Sequence, residues 1–288
     1  MTLAERSTQS LLKPRAVPAK RYLPFALMLL IAADGCGGGN PATPTHPAPQ
    51  PQFITIDGPG AFGTSAEAIN VNNDIAGFFT DANNASHSFL RTSGGTFTVF
   101  DAPGAGSANG QGSDSQGINA SGTIVGSFID QQFIPHGYIR TSSGVFTTLD
   151  VPGSFATMAL GINDGGAVTG EFLDFQRFAH GFVRSSGGAF TTFDVPGSGG
   201  SYLSGTNPAR INSSGTVTGF FTDTSSVLHA FFRASDGTIT TFDAPGAGTA
   251  AGTGTAATDI NASGIIVGWL FGPNGSGSRS FVRDADGC

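Results

Sequence analysis

An Ile-Asn pair occurs five times in this chain, beginning at Ile69, Ile118, Ile162, Ile211 and Ile260. A strand-like run ending in Asp-x-Pro-Gly occurs five times with it, at Asp57, Asp101, Asp150, Asp194 and Asp243. From each of the first four Ile to the next such Asp is 32 residues, and from each Asp to the following Ile is 12 or 17. All length variation therefore sits in one connector, and the rest of the unit keeps register. A period of 44 or 49 residues is the mark of a repeat architecture, in which each unit buries its apolar faces against its neighbours.

The second unit shows what one repeat encodes. A short apolar strand begins at Gly117-Ile118, and Asn119-Ala120-Ser121-Gly122 turns the chain. The β-branched and aromatic run 123–128 is a second strand, 136–141 a third, and 145–149 a fourth that closes at Asp150. Pro152-Gly153 breaks that strand and opens the connector. Four short antiparallel strands per unit predict an all-β fold, a five-bladed β-propeller of four-stranded antiparallel blades. A helical solenoid is excluded, because no 3.6-residue apolar period is present. The fifth unit reaches only its turn glycine, Gly287, and residues 53–57 (FITID) match the fourth strand. The N-terminal strand is therefore expected to close the last blade and remove an open sheet edge.

Four units carry a His-small-aromatic motif: His87-Ser88-Phe89, His136-Gly137-Tyr138, His180-Gly181-Phe182 and His229-Ala230-Phe231. On this motif the chain resembles the extracellular HAF-repeat family over residues 53–284. The resemblance implies an exported bacterial β-repeat protein and no defined activity.

Residues present in every unit are expected to serve the unit. The strand-end aspartates are predicted to form Asx turns. Arg91, Arg140, Arg184, Arg233 and Arg283 are predicted to pair with strand-end aspartates in a ring of ion pairs. Gly77, Gly126, Gly170, Gly219 and Gly268 are expected to let neighbouring sheets approach, with Phe79, Phe128, Phe172, Phe221 and Leu270 filling the space between blades.

Candidate ligand residues come from two patterns. The first is an Asp and a His six residues apart: Asp81 and His87, Asp130 and His136, Asp174 and His180, Asp223 and His229. They flank the loop between second and third strands, on the face that carries the variable connectors. A hairpin lock and a set of four equivalent ligand sites both account for them; the lock is the expectation. The second pattern is departure from the repeat. Glu171 replaces Phe78, Ser127, Phe220 or Trp269, and Arg210 and Asp259 replace Ala68, Gly117 and Gly161. Arg210 and Asp259 are expected to neutralise each other near the central channel, and Glu171 to pair with Arg177. No catalytic motif, cofactor fingerprint or metal spacing is present; one His and one Asp per site are too few zinc ligands.

The ends bound the setting. Residues 1–35 read as a lipoprotein-type signal peptide: basic residues Lys13, Arg15, Lys20 and Arg21, an apolar core from Leu23 to Ala33, then Ala33-Asp34-Gly35-Cys36. Cys36 is the expected lipidation site. Residues 36–52, rich in Gly and Pro, read as a tether, and 53–288 as the repeat domain. Beyond the leader there is no lysine, and eight arginines face eighteen acids, a net charge of −10. That balance excludes nucleic acid as a partner, and membrane contact except through a lipid anchor. The expected protein is a monomer, either outer membrane-anchored or extracellular/periplasmic, binding a glycan or another protein. A glycosidase or lyase using acids at the channel mouth, and a purely structural surface protein, are the alternatives; the first would need two carboxylates facing one sugar bond.

Overall fold

Small residues at the turns and β-branched or aromatic residues between them give each repeat the same local structure. The first unit is β1 (Gly63–Ile69), β2 (Ile75–Thr80), β3 (Ser86–Arg91) and β4 (Phe97–Phe100). The second is β5 (Gly112–Ile118), β6 (Ile124–Ile129), β7 (Pro135–Arg140) and β8 (Phe146–Leu149). The third is β9 (Ala156–Ile162), β10 (Val168–Leu173), β11 (Ala179–Arg184) and β12 (Phe190–Phe193). The fourth is β13 (Thr206–Ile211), β14 (Val217–Thr222), β15 (Leu228–Arg233) and β16 (Ile239–Phe242). The fifth has β17 (Gly254–Ile260), β18 (Ile266–Phe271) and β19 (Ser278–Arg283). This computed structural model describes residues 53–199, 204–273 and 277–285. Cys36, the signal segment, the tether, Gly287 and Cys288 lie outside the described residues. The chain divides into residues 1–55 and 56–288, and all strands belong to the second part.

The fold is all-β, with no helix among the described residues. Consecutive strands in each unit pair antiparallel, as in β5–β6, β6–β7 and β7–β8. Sheet order runs β1-β2-β3-β5-β6-β7-β8 with β4 beside β3, then β12-β11-β10-β9, then β13-β14-β15-β17-β18-β19 with β16 beside β15. Among the described residues, single parallel bridges link successive units: Ser86 to Gly112, Ala179 to Gly205 and Leu228 to Gly254. Gly112 is required there: its φ is 117°, and a Cβ would lie 2.0 Å from the Ser86 carbonyl oxygen. The first strand is thus longer than expected, starting at Gly112 rather than near Gly117.

The core lies between units. Ala76 and Ala102 of the first unit pack with Ile118, Ile124, Phe128 and Tyr138 of the second. Val125 and Leu149 then meet Ala159, Val168 and Phe182 of the third, and the pattern repeats along the chain. No unit can bury this apolar surface alone, which is why the period is kept.

An asparagine ladder ties the units together. The Asn of each Ile-Asn pair accepts turn N–H groups through its side-chain oxygen, as Asn119 does from Ser121 and Thr123. Its amide nitrogen donates to the carbonyl of the equivalent Asn in the next unit: Asn70 to Asn119 (3.1 Å), Asn119 to Asn163 (3.3 Å), Asn163 to Asn212 (2.9 Å) and Asn212 to Asn261 (3.1 Å).

Three expectations are corrected. Residues 53–57 form no strand, and among the described residues β19 pairs with β18 alone. The repeated arginines do not pair with strand-end aspartates, because every ion pair among the described residues is a His–Asp pair. Instead the guanidinium lies over a ring of the preceding unit: Arg140 over Phe100 at 4.3 Å, Arg233 over Phe193 at 5.1 Å, Arg283 over Phe242 at 5.1 Å. Leu149 stands at that place in the unit before Arg184, whose guanidinium lies 5.9 Å from its own unit's Phe190. The repeated glycines serve their own unit. A Cβ on Gly126 would lie 2.0 Å from the Asp114 carbonyl oxygen and 2.9 Å from the Tyr138 hydroxyl. The cause is a bulge in every first strand, between Ser115 and Gly117 in β5, which pushes its backbone toward the second strand.

Candidate functional site

The repeated histidine stands on the third strand directly across from an aromatic on the second. His87 pairs with Phe79, His136 with Phe128, His180 with Phe172 and His229 with Phe221. Each imidazole lies against that ring, stacked in three units and tilted in the first, with centroids 5.0 to 5.3 Å apart. The aromatics assigned to filling space between blades therefore also form the floor beneath the histidines.

Each histidine bridges two aspartates, and the closer one is not the partner expected. Nδ1 lies 2.9 Å from Asp101 in the first unit, 2.9 Å from Asp150, 2.8 Å from Asp194 and 2.9 Å from Asp243 in the next three. Nε2 faces the aspartate six residues earlier at longer range: 3.8 Å to Asp81, 3.4 Å to Asp130, 3.5 Å to Asp174 and 3.6 Å to Asp223. Antiparallel pairing of third and fourth strands brings residues 14 apart side by side, and that beats nearness in sequence.

The loop aspartates do the work expected of the strand-end ones. Asp130 accepts N–H bonds from Gln132 and Ile134, and Asp223 from Ser225 and Val227. These are Asx turns that shape the loop between second and third strands. The N–H of Ala85 holds the Asp81 carboxyl below its ordinary range, and that of Val227 does the same for Asp223. For Asp130 and Asp174 partial burial works the other way but is outweighed by backbone N–H bonds and the facing histidine, so both are also lowered.

The fifth unit lacks the couple as a whole. Arg279 pairs with Leu270 in β18–β19, the register of His136 with Phe128, so the one residue by which this hairpin is longer lies in the preceding loop and not in the strand. Arg279 donates to the Gly246 carbonyl at 3.3 Å.

Two open clefts lie where the couple meets the connector. One, of about 240 Å³, is walled by His136, Asp150, Pro152, Ser154 and Phe155. The other, of about 410 Å³, is walled by His180, Asp194, Pro196, Ser198 and Phe178. The connector is fixed by a hydroxyl from the next unit: Val151 N–H donates to Thr157 at 3.0 Å and Val195 N–H to Thr206 at 2.9 Å.

The irregular residues do not assemble into a second site. Arg210 on β13 donates to the Leu160 and Ala209 carbonyls at 2.8 and 3.1 Å, clamping the unit before it. Asp259 on β17 is exposed and accepts its neighbour Ile260 N–H at 2.8 Å. No ion pair joins Arg210 to Asp259 among the described residues, because each is satisfied by nearby backbone. Glu171 sits half-buried on β10 opposite Met158, while Arg177 lays its guanidinium 3.3 Å over Phe155. No group of three His, Cys, Asp or Glu among the described residues has metal-holding geometry.

One residue went unnoticed in the sequence. Asp114 on β5 has an Oδ1 atom sealed from solvent without a hydrogen-bond partner. Burial, with the charge of Glu67 adding to it and a Ser86 hydrogen bond opposing, pushes its carboxyl up to about 6. The available signal was an acid at a place where other units have Ser65, Met158, Asn207 and Ala256.

No protein-family model and no curated protein matches this chain. Solved structures do. TolB from Acinetobacter baumannii is similar at 13% identity and a TM-score of 0.49, over 76% of this chain and 54% of that one. The chain thus spans about half the length of TolB. A triple-arginine mutant of AofleA from Arthrobotrys oligospora is similar at 12% identity and a TM-score of 0.43, over 79% of this chain and 73% of that one. The BP39L lectin from Burkholderia pseudomallei is similar at 11% identity and a TM-score of 0.42, with the same two coverages, 79% and 73%.

Proposed function

We propose that this chain is an exported, lipid-anchored binding protein of the HAF-repeat kind. Its five units act as β-propeller blades that present a glycan- or protein-binding face. The observation that carries this reading is the recurrence of one cleft at two successive junctions, each walled by a His–Asp couple and the following Pro-Gly connector. Chemistry repeated on a rigid scaffold at loop ends suits binding. The histidine serves as a lock, with the strand-end aspartate and not the loop aspartate as its nearer partner, since both imidazole nitrogens face carboxylates and little of the ring is left for a ligand. The carboxylates and the connector are the ligand-facing part.

Two measurements test the reading. The purified full chain is applied to a glycan array and to immobilised cell-envelope proteins; specific retention on either supports a binding role, and retention on neither overturns it. Fractionation tests the anchor. Wild-type protein is expected in membranes and Cys36→Ser in the soluble fraction, because a lipid chain at Cys36 would be the attachment. A wild-type protein found only in the soluble fraction overturns the lipoprotein reading.

A further inference from the structure

The four His–Asp couples are alike, but their surroundings are not. The loops of the first and fourth units continue with Asn83-Asn84 and Ser225-Ser226. Those of the second and third carry Phe133, and Phe175, Arg177 and Phe178. Phe175 is 70% exposed and Phe133 is 54% exposed. Exposed aromatics mark a contact surface, and Phe175 and Phe178 stand in one loop that reaches both clefts.

The loop between β10 and β11 touches both clefts. At one end Phe175 meets Phe155 edge-on, with centroids 6.3 Å apart, and Arg177 lies over the same Phe155 ring. Phe155 is a wall of the first cleft. At the loop's other end, Phe178 is a wall of the second. The polar side of each cleft is a strand-end carboxylate with one oxygen engaged. Asp150 uses Oδ2 for His136 and Asp194 uses Oδ1 for His180; among the described residues the other oxygen of each has no hydrogen bond. Asp150 is 41% exposed and Asp194 55%.

We propose that these adjacent clefts are successive subsites for one neutral oligosaccharide chain. Asp150 and Asp194 accept its hydroxyls, and Phe155, Phe175 and Phe178 stack on its C–H faces. The proposal rests on the binding reading above and narrows it from a binding face to one two-part groove. A sugar ring offers an apolar face and hydroxyl donors at its rim, which is the pairing the clefts supply. The paired carboxylates oppose an anionic polymer. Recurrence of the same cleft one repeat further on suits a polymer whose own units recur.

The test uses the full chain and neutral gluco-, manno- and N-acetylglucosamine oligosaccharides of two to six sugar units, with dextran sulfate as the anionic control, measured by calorimetry. One neutral series is expected to bind, with affinity rising about tenfold or more from two to six units. Phe175→Ala, Asp150→Asn and Asp194→Asn are each expected to weaken the longest member about tenfold. Asp101→Asn and Asp243→Asn are expected to leave it unchanged. Thermal unfolding of each variant separates lost binding from lost folding; Phe175→Ala, at an exposed position, serves as the variant that keeps its fold. Equal losses at Asp101 and Asp150, affinity independent of length, or preference for dextran sulfate overturns the groove while leaving a binding role intact. Retention of a protein alone on the arrays also overturns it. Retention of nothing overturns the broader reading.

Discussion

Asn163 donates its side-chain amide to the carbonyl of Asn212, 49 residues on, at 2.9 Å. The same side chain accepts the Ala167 N–H at 2.9 Å. One residue therefore shapes its own turn and fixes the distance to the next unit. Asn163→Ala is expected to lower stability by about 2 kcal/mol, because buried turn and carbonyl groups lose their partners. Asn261, exposed at the end of the ladder, makes no such bond among the described residues, and Asn261→Ala is expected to cost clearly less. Chemical denaturation of the two variants side by side checks this. Equal losses would mean that the ladder contributes nothing beyond the turn.

The His–Asp couples should register as locks of moderate strength. His136→Ala removes the 2.9 Å bond to Asp150 and uncovers Phe128. With Asp150 partly exposed, solvent screening keeps the expected loss near about 1 kcal/mol. Asp150→Asn should lose less, since an amide oxygen still accepts from a ring N–H. A His136→Ala variant with unchanged melting would refute the lock.

Two sets of carboxylates act on stability in opposite pH windows. Asp114 has a native pKa of about 6, above its unfolded value of 3.8. Its proton is held more tightly in the native state, so its contribution is present below pH 4 and is lost as pH rises to about 6. Above that, the carboxylate is a burden of about 3 kcal/mol. Asp114→Asn is therefore expected to raise stability at neutral pH and to flatten the slope between pH 4 and 6. The lowered loop aspartates, Asp81, Asp130, Asp174 and Asp223, act the other way: they stabilise above their unfolded pKa and lose that contribution as acid protonates them. Denaturation of wild type and Asp114→Asn from pH 3 to pH 8 gives the test, and parallel curves would contradict the assignment.

What the sequence made legible follows from the physics of each feature. The period, the strand count per unit and the turn glycines were readable because they are local and repeat in register. The Asn ladder was not, because an Asn that only turns the chain and one that also reaches the next unit look the same in sequence. The bulge between Ser115 and Gly117 was hidden by its own regularity: it occurs in all five first strands and disturbs no spacing. The histidine's nearer partner was missed because Asp130 is 6 residues away from His136 and Asp150 is 14 away, and only strand pairing shows which carboxylate lies closer. The arginines were assigned to aspartates by charge, whereas the fold offers their guanidinium groups the aromatic rings of the preceding unit.

The two end units carry faces that the inner units cover. Ile69 is 62% exposed, whereas Ile118, Ile211 and Ile260 are buried at 8%, 6% and 8%. At the other end Val267 is 40% exposed, whereas Ala76, Val125, Thr169 and Thr218 at the same place are fully buried. Each inner unit shields one such residue of the unit before it, and nothing described shields Val267. The same substitution should then have very different costs at two equivalent positions. Val125→Asp places a charge in a sealed interface and is expected to cost about 4 kcal/mol or more. Val267→Asp, with its side chain reaching water, is expected to cost less than about 1 kcal/mol. Urea unfolding of the two variants reads the difference directly. A loss at Val267 as large as at Val125 would mean that another surface covers the fifth unit in solution. Sedimentation of the wild-type chain across protein concentrations would then tell whether that surface belongs to its own first unit or to a second copy.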